Sequence, residues 1–201
     1  MDGTQGLVAG AGRAAVVGGV LGLGSLVAVL AGEVREGESF MGTTVAQLAG
    51  WAGFVASALL VVGLLGVAVR YGSLLSGAGR GALLVLGFAT AITVGASSTL
   101  ALVVPTLADK APELVSEPPA AVPPTFILSG LMMGVCAIVL AVGLRRTGAA
   151  PGPVTALMIA GGVVTMVPLP SRFFLLAVAV GLLALAPAKL RGEARDQVSA
   201  A

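Results

Sequence analysis

Residues 45–69 read VAQLAGWAGFVASALLVVGLLGVAV. These 25 residues carry no charge and no proline. A bilayer hydrocarbon core about 30 Å thick is crossed by about 20 apolar residues in a helix. The apolar residues run on continuously, whereas strands of a membrane barrel alternate apolar and polar positions. In lipid every backbone N–H and C=O must be bonded within the segment, which a helix achieves alone. The stretch therefore predicts a transmembrane helix.

The rest of the chain repeats the pattern. Of its 201 residues 57% are hydrophobic and 10% charged, with a mean hydropathy of +1.07. A soluble domain is about 25% charged, and disordered chains are polar, so both classes are excluded. Uncharged runs predict spans over residues 7–31 (Arg13 interrupting near the start), 82–108 and 125–144. A longer apolar run from 152 to 188 is broken by Pro168-Leu169-Pro170-Ser171-Arg172, where two prolines remove backbone donors. It divides into spans 153–167 and 173–188, each short for a full crossing. The predicted fold is all-α: one polytopic transmembrane bundle of six helices with Gly-rich packing and a short tail, 189–201. Val29-Leu30-Ala31 would suit a signal cleavage site, but the run is longer than a signal core and begins Met1-Asp2, so a retained helix is expected.

Basic residues orient the bundle. Arg13, Arg70, Arg80, Arg145, Arg146, Lys189, Arg191 and Arg195 fall on one side, and Arg35, Lys110 and Arg172 on the other. Both termini are expected in the cytoplasm. Arg outnumbers Lys, and Ala, Gly and Val are abundant; together they suggest a bacterial chain, hence the inner membrane.

Thirty residues are Gly. Small residues let helix backbones approach closely in lipid. Spacing of four predicts packing at Gly10, Gly18 and Gly22 in the first span, with Gly87 and Gly95 in the third and Gly130 and Gly134 in the fourth. The partner of such a stripe is either another helix of this chain or a second copy.

The chemistry available is narrow. With no His, a His-ligated metal or haem and a His-dependent nucleophile are excluded, and the lone Cys136 makes no internal disulfide. No Walker-type motif or dinucleotide fingerprint is present. No catalytic, cofactor-binding or metal residues are expected, and no nucleic-acid partner. No charge falls near the middle of a predicted span, Arg13 being close enough to an end to snorkel. Thr90, Thr93 and Ser97 share one face of the third span and form the candidate polar lining; the alternative is that each hydroxyl bonds its own helix. Trp51 fits an interfacial anchor. The Pro-rich stretch 109–124 reads as a stiff connector.

Residues Ala141-Val142-Gly143-Leu144-Arg145-Arg146-Thr147-Gly148, then Pro151-Gly152 opening a helix with Gly161-Gly162, resemble uncharacterised bacterial six-helix membrane proteins. The resemblance covers the last third of the chain and implies no assigned catalytic residues. The expected function is a non-enzymatic scaffold or accessory subunit of the inner membrane, in contact with lipid and with a second copy or a membrane partner. The alternative is a small transporter or permease-like protein for an uncharged or lipid-like solute. A third reading is an outer-face enzyme using Glu33, Glu36, Glu38 or Asp109.

Overall fold

The computed structural model describes residues 3–110, 113 and 122–186. Among these the chain is all-helical, without strands. Helix α1 is Gly3–Glu36, followed by a 3-10 turn, Gly37–Gly42. Then come α2 (Thr44–Tyr71), α3 (Gly77–Leu102), the short α4 (Val104–Lys110), α5 (Val122–Arg146), α6 (Gly152–Met166) and α7 (Phe174–Leu185). Among the described residues four helices are long and apolar enough to cross a membrane: α1, α2, α3 with its α4 extension, and α5. The predicted tail 189–201 and most of the Pro-rich connector lie outside the described residues.

Local chemistry sets the boundaries. Gly37 takes a positive φ of 58° and ends α1, and Phe40 of the following turn is buried against Gly32. Thr43 and Ser76 cap α2 and α3, each accepting a hydrogen bond from the amide three residues on, which satisfies an otherwise orphaned donor. Helix α3 breaks at Val103 because Pro105 has no N–H to offer the Ala101 carbonyl one turn back. Helix α5 ends on Gly148, at φ 71°. There the Ala149 amide bonds the Leu144 carbonyl and the Gly148 amide bonds the Arg145 carbonyl, the paired bonds of a Schellman motif. The Arg-Thr-Gly turn singled out in the sequence is this helix stop.

The helices close into a ring. Helix α1 packs on α2, α2 on α3, α3 on α5, α5 on α6, α6 on α7, and α7 back on α1, also touching α2. Outward faces stay apolar: Leu84 is 75% and Phe88 61% exposed.

The glycines divide into two groups. Gly18 faces the Ala56 carbonyl of α2, Gly22 faces Phe174, Gly130 faces the Thr165 carbonyl, and Gly134 faces the Gly162 carbonyl. Gly10, Gly87 and Gly95 correct the expectation: a Cβ there meets nothing within 4 Å among the described residues. The reason is geometric. A helix of 3.6 residues per turn advances about 40° past a full turn every four residues, so Gly10 and Gly22 lie about 120° apart. The buried stripe of α1 instead runs Val8, Gly12, Ala15, Gly19, Gly22 and Leu26, alternating steps of four and three. Adjacent glycines serve two neighbours. Gly18 meets α2 while Gly19 meets α7, and Gly161 meets the Leu176 backbone of α7 while Gly162 meets α5.

Helices α6 and α7 have 15 and 12 residues, about 22 and 18 Å. Each is shorter than a bilayer core. They form a hairpin whose two open ends lie at the arginine-bearing end of the bundle. There the Arg145 guanidinium reaches the Ala150 carbonyl, and Arg70 and Tyr71 hold the end of α7. The tip, residues 167–173, stops partway up.

Candidate functional site: a cavity over the hairpin tip

The tip is built by its prolines and by one left-handed residue. Val167 turns out of α6 in extended conformation, Pro168 and Pro170 forbid helix, and Ser171 takes φ 49°, a region costly for a non-glycine residue. A hydroxyl chain holds it. Ser171 Oγ donates to Ser25 Oγ at 2.9 Å, and Ser25 Oγ donates to the Ala49 carbonyl at 2.8 Å. The tip is thereby tied to α1 and α2 at Gly53, where a Cβ would lie 3.0 Å from Ser171 Oγ.

These contacts set its depth. Ser25 precedes the end of α1 by eleven residues, about 16 Å of helix rise. Gly53 lies nine residues into α2, about 13 Å.

The neighbouring residue is Arg172, and it is buried, with 5% exposure. Its Nη2 donates to the Phe126 carbonyl and, at 3.1 Å, to Ser129 Oγ on α5. This overturns the expectation that no charge occupies the interior. The sequence reading placed Arg172 between two spans, on the side away from the cytoplasm. The signal that would have found it was arithmetic: predicted spans of 153–167 and 173–188 rise about 22 and 24 Å, short of a core about 30 Å thick, so their connecting turn stops short of the far face.

Above the tip lies a partly open cavity of about 250 Å³. Its floor is Leu169 to Phe173, and its walls come from α1, α2, α3 and α5, with Phe40 of the 3-10 turn and Pro105 of α4 towards the mouth. Polar groups on it include Ser25, Gln47, Thr93, Ser97, Ser171 and Arg172. Glu33 also borders it; it is exposed and stands eight residues beyond Ser25, about 12 Å along the helix.

The expected polar face of α3 divides here. Thr93 and Ser97 line the cavity, and Thr90 does not. Thr90 is fully buried and its Oγ1 donates to the Leu86 carbonyl at 2.7 Å. Thr93 Oγ1 donates to the Ala89 carbonyl at 3.0 Å and lies 3.3 Å from Met133 Sδ. Ser97 is the member of the three with no hydrogen bond among the described residues. The scattered hydroxyls Ser57, Ser129, Thr155 and Thr165 all donate to carbonyls of their own helix or its cap, three or four residues back, and so satisfy themselves.

No family model, curated protein or solved structure matches the chain.

Proposed function

We propose that the chain is a non-enzymatic, multi-pass protein of a bacterial inner membrane, with its termini and arginine-bearing end in the cytoplasm. Its cavity admits a small solute from the opposite face, as in a small transporter or permease-like protein. In this reading four helices span the bilayer, and α6–α7 is a re-entrant hairpin entering from the cytoplasmic side. One observation carries it: the hairpin stops inside the bundle with a polar cavity over its tip. Irregular backbone at membrane depth is tolerated where protein buries it or where it lines a water-filled cavity; residues Leu169 to Arg172 line the cavity and Arg172 is buried. The outward apolar faces, such as Leu84 and Phe88, suit lipid.

The outer-face enzyme has less support. Paired carboxylates would be needed for acid–base work, and Glu33 is the one carboxylate among the described residues that line the cavity. The scaffold or accessory reading has one observation in its favour. Gly87 and Gly95 leave open space on α3, where a partner helix would find close approach. Gly18 offers a second copy no such space, because α2 fills it.

The test uses the chain's single cysteine to advantage. Cys136→Ala gives a cysteine-free background for Ser97→Cys and Thr90→Cys. An impermeant maleimide is expected to label position 97 from the periplasmic side and to leave position 90 untouched. Labelling of position 97 from the cytoplasmic side alone, or from neither side, contradicts the proposal. Reporter fusions after Gly79 and Ala150 are expected to read cytoplasmic.

A further inference from the structure

The geometry points to a specific occupant of this cavity: a small monovalent organic anion, a carboxylate with a short apolar tail, bound to Arg172. The inference rests on the solute-cavity reading and adds the substrate class.

The first support is the state of the guanidinium. It carries five N–H donors, and the two bonds to α5 use Nη2 alone. Nε and Nη1 take no hydrogen bond among the described residues. They are not sealed off either, because every sealed side-chain nitrogen or oxygen among those residues has a partner. Arg172 is among the residues that line the cavity, with Cζ and Nη1 also packed against Gly130 of α5. A cation 95% removed from solvent, with its bonded partners both neutral, is costly unless an anion joins it.

Helix polarity adds a second support. Arg172 sits just before α7, whose first residue is Phe174 and whose N-terminus has no side-chain cap. A helix N-terminus is the positive end of the helix dipole and disfavours a cation. The backbone of Arg172 precedes that end while its guanidinium reaches α5, so two positive features border one floor. An anion above the tip relieves both.

Charge and size narrow the ligand. One fixed cation balances one negative charge, and a dianion would leave a net charge in a poorly solvated site. The nearest fixed carboxylate on the wall, Glu33, stands toward the mouth, about 12 Å of helix rise from Ser25. The volume of about 250 Å³ falls below the range of about 300–1,000 Å³ typical of pockets for drug-sized ligands, so the occupant is small. Much of the wall is apolar, with Val29, Phe126, Leu169 and Phe173 among its members. That suits a short aliphatic tail, while Ser97 brings a hydroxyl with no partner among the described residues to the same lining.

The experiment follows maleimide labelling of Ser97→Cys in the Cys136→Ala protein, reconstituted in phosphatidylcholine vesicles. At a butyrate concentration about ten times its dissociation constant, labelling is expected to slow about tenfold by mass action. Chloride, inorganic phosphate and the neutral isostere butyramide are expected to give no protection. Arg172→Gln is expected to abolish the butyrate effect and Arg172→Lys to retain part of it. Should Arg172→Gln fail to fold, the contrast of butyrate with butyramide still decides. Equal protection by butyramide, none by butyrate, or butyrate protection unchanged in Arg172→Gln overturns the inference while leaving the solute cavity standing. Absence of labelling without any added ligand overturns the cavity itself. Vesicles containing phosphatidylserine separate two sources of the same chemistry. Protection there without butyrate assigns the carboxylate to a lipid headgroup, and protection by butyrate in phosphatidylcholine assigns it to a free solute.

Discussion

Arg70 and Arg172 stand at opposite ends of α7, and both donate to backbone carbonyls. Arg70, at the end of α2, reaches the Ala184 carbonyl at 2.6 Å and the Ala186 carbonyl, with its guanidinium 5.3 Å from the centre of the Tyr71 ring. It sits at the negative end of the α7 dipole, where a cation stabilises, and it bonds carbonyls that the helix end leaves orphaned. Arg172 sits at the positive end. Its acceptors do not depend on it: Ser129 Oγ already donates to the Phe126 carbonyl, inside a helix that bonds its own backbone. One arginine completes a helix; the other is held by groups that would be satisfied without it. The difference teaches that burial of a charge is not by itself a structural role. What matters is whether its partners need it.

The comparison can be broken in graded ways. Arg70→Met unpairs two carbonyls at the end of α7, and a charged hydrogen bond is worth about 1.5–3 kcal/mol. Its loss is expected to lower stability by about 3 kcal/mol, read as the shift in a denaturation midpoint in a fixed lipid mimic. Gly161→Ala drives a methyl into the Leu176 backbone, whose amide nitrogen would lie 2.6 Å away. Overpacking of this kind costs about 2 kcal/mol and loosens both ends of the hairpin, so Ser97→Cys labelling should also lose its one-sidedness. Tyr71→Phe removes the bond to the Leu183 carbonyl, 3.0 Å long, for about 1 kcal/mol; a larger loss would mean that the clamp is cooperative. Ser171→Gly exchanges one hydroxyl bond for relief of the positive φ, and the two terms, each about 1 kcal/mol, nearly cancel. Unchanged melting with faster Ser97→Cys labelling is the expected result at that position, because the tip is freed from Ser25.

Much of the architecture was legible in the sequence because lipid forces it. The uncharged runs mark the long helices to within five residues at the predicted ends, and Pro168 and Pro170 locate the break in the last run. The glycine contacts were half legible. Spacing of four catches Gly18 and Gly22 because they are one step apart, and it fails over longer runs because the helix precesses. Gly12 and Gly19, which meet α7, are missed by it. The cavity was the least legible part. Thr93 and Ser97 are read from periodicity, yet Ser25, Ser171 and Arg172 come from distant segments. Only the packed hairpin brings them together. Arg172 in particular reads as a topological charge when counted and as an interior one when the lengths of α6 and α7 are measured.

In the proposed function the cation at the hairpin tip serves a solute and the cation at the hairpin base serves the fold. Arg172→Met keeps most of the side-chain volume and removes an unneutralised buried charge, a change that is often neutral or stabilising. The decisive measurement is the thermal midpoint of Arg172→Met beside Arg70→Met in the same nanodiscs. The expected result is a midpoint for Arg172→Met equal to or above that of the parent, with Arg70→Met clearly below it. A loss of stability in Arg172→Met as large as that in Arg70→Met would contradict the claim and make both arginines struts.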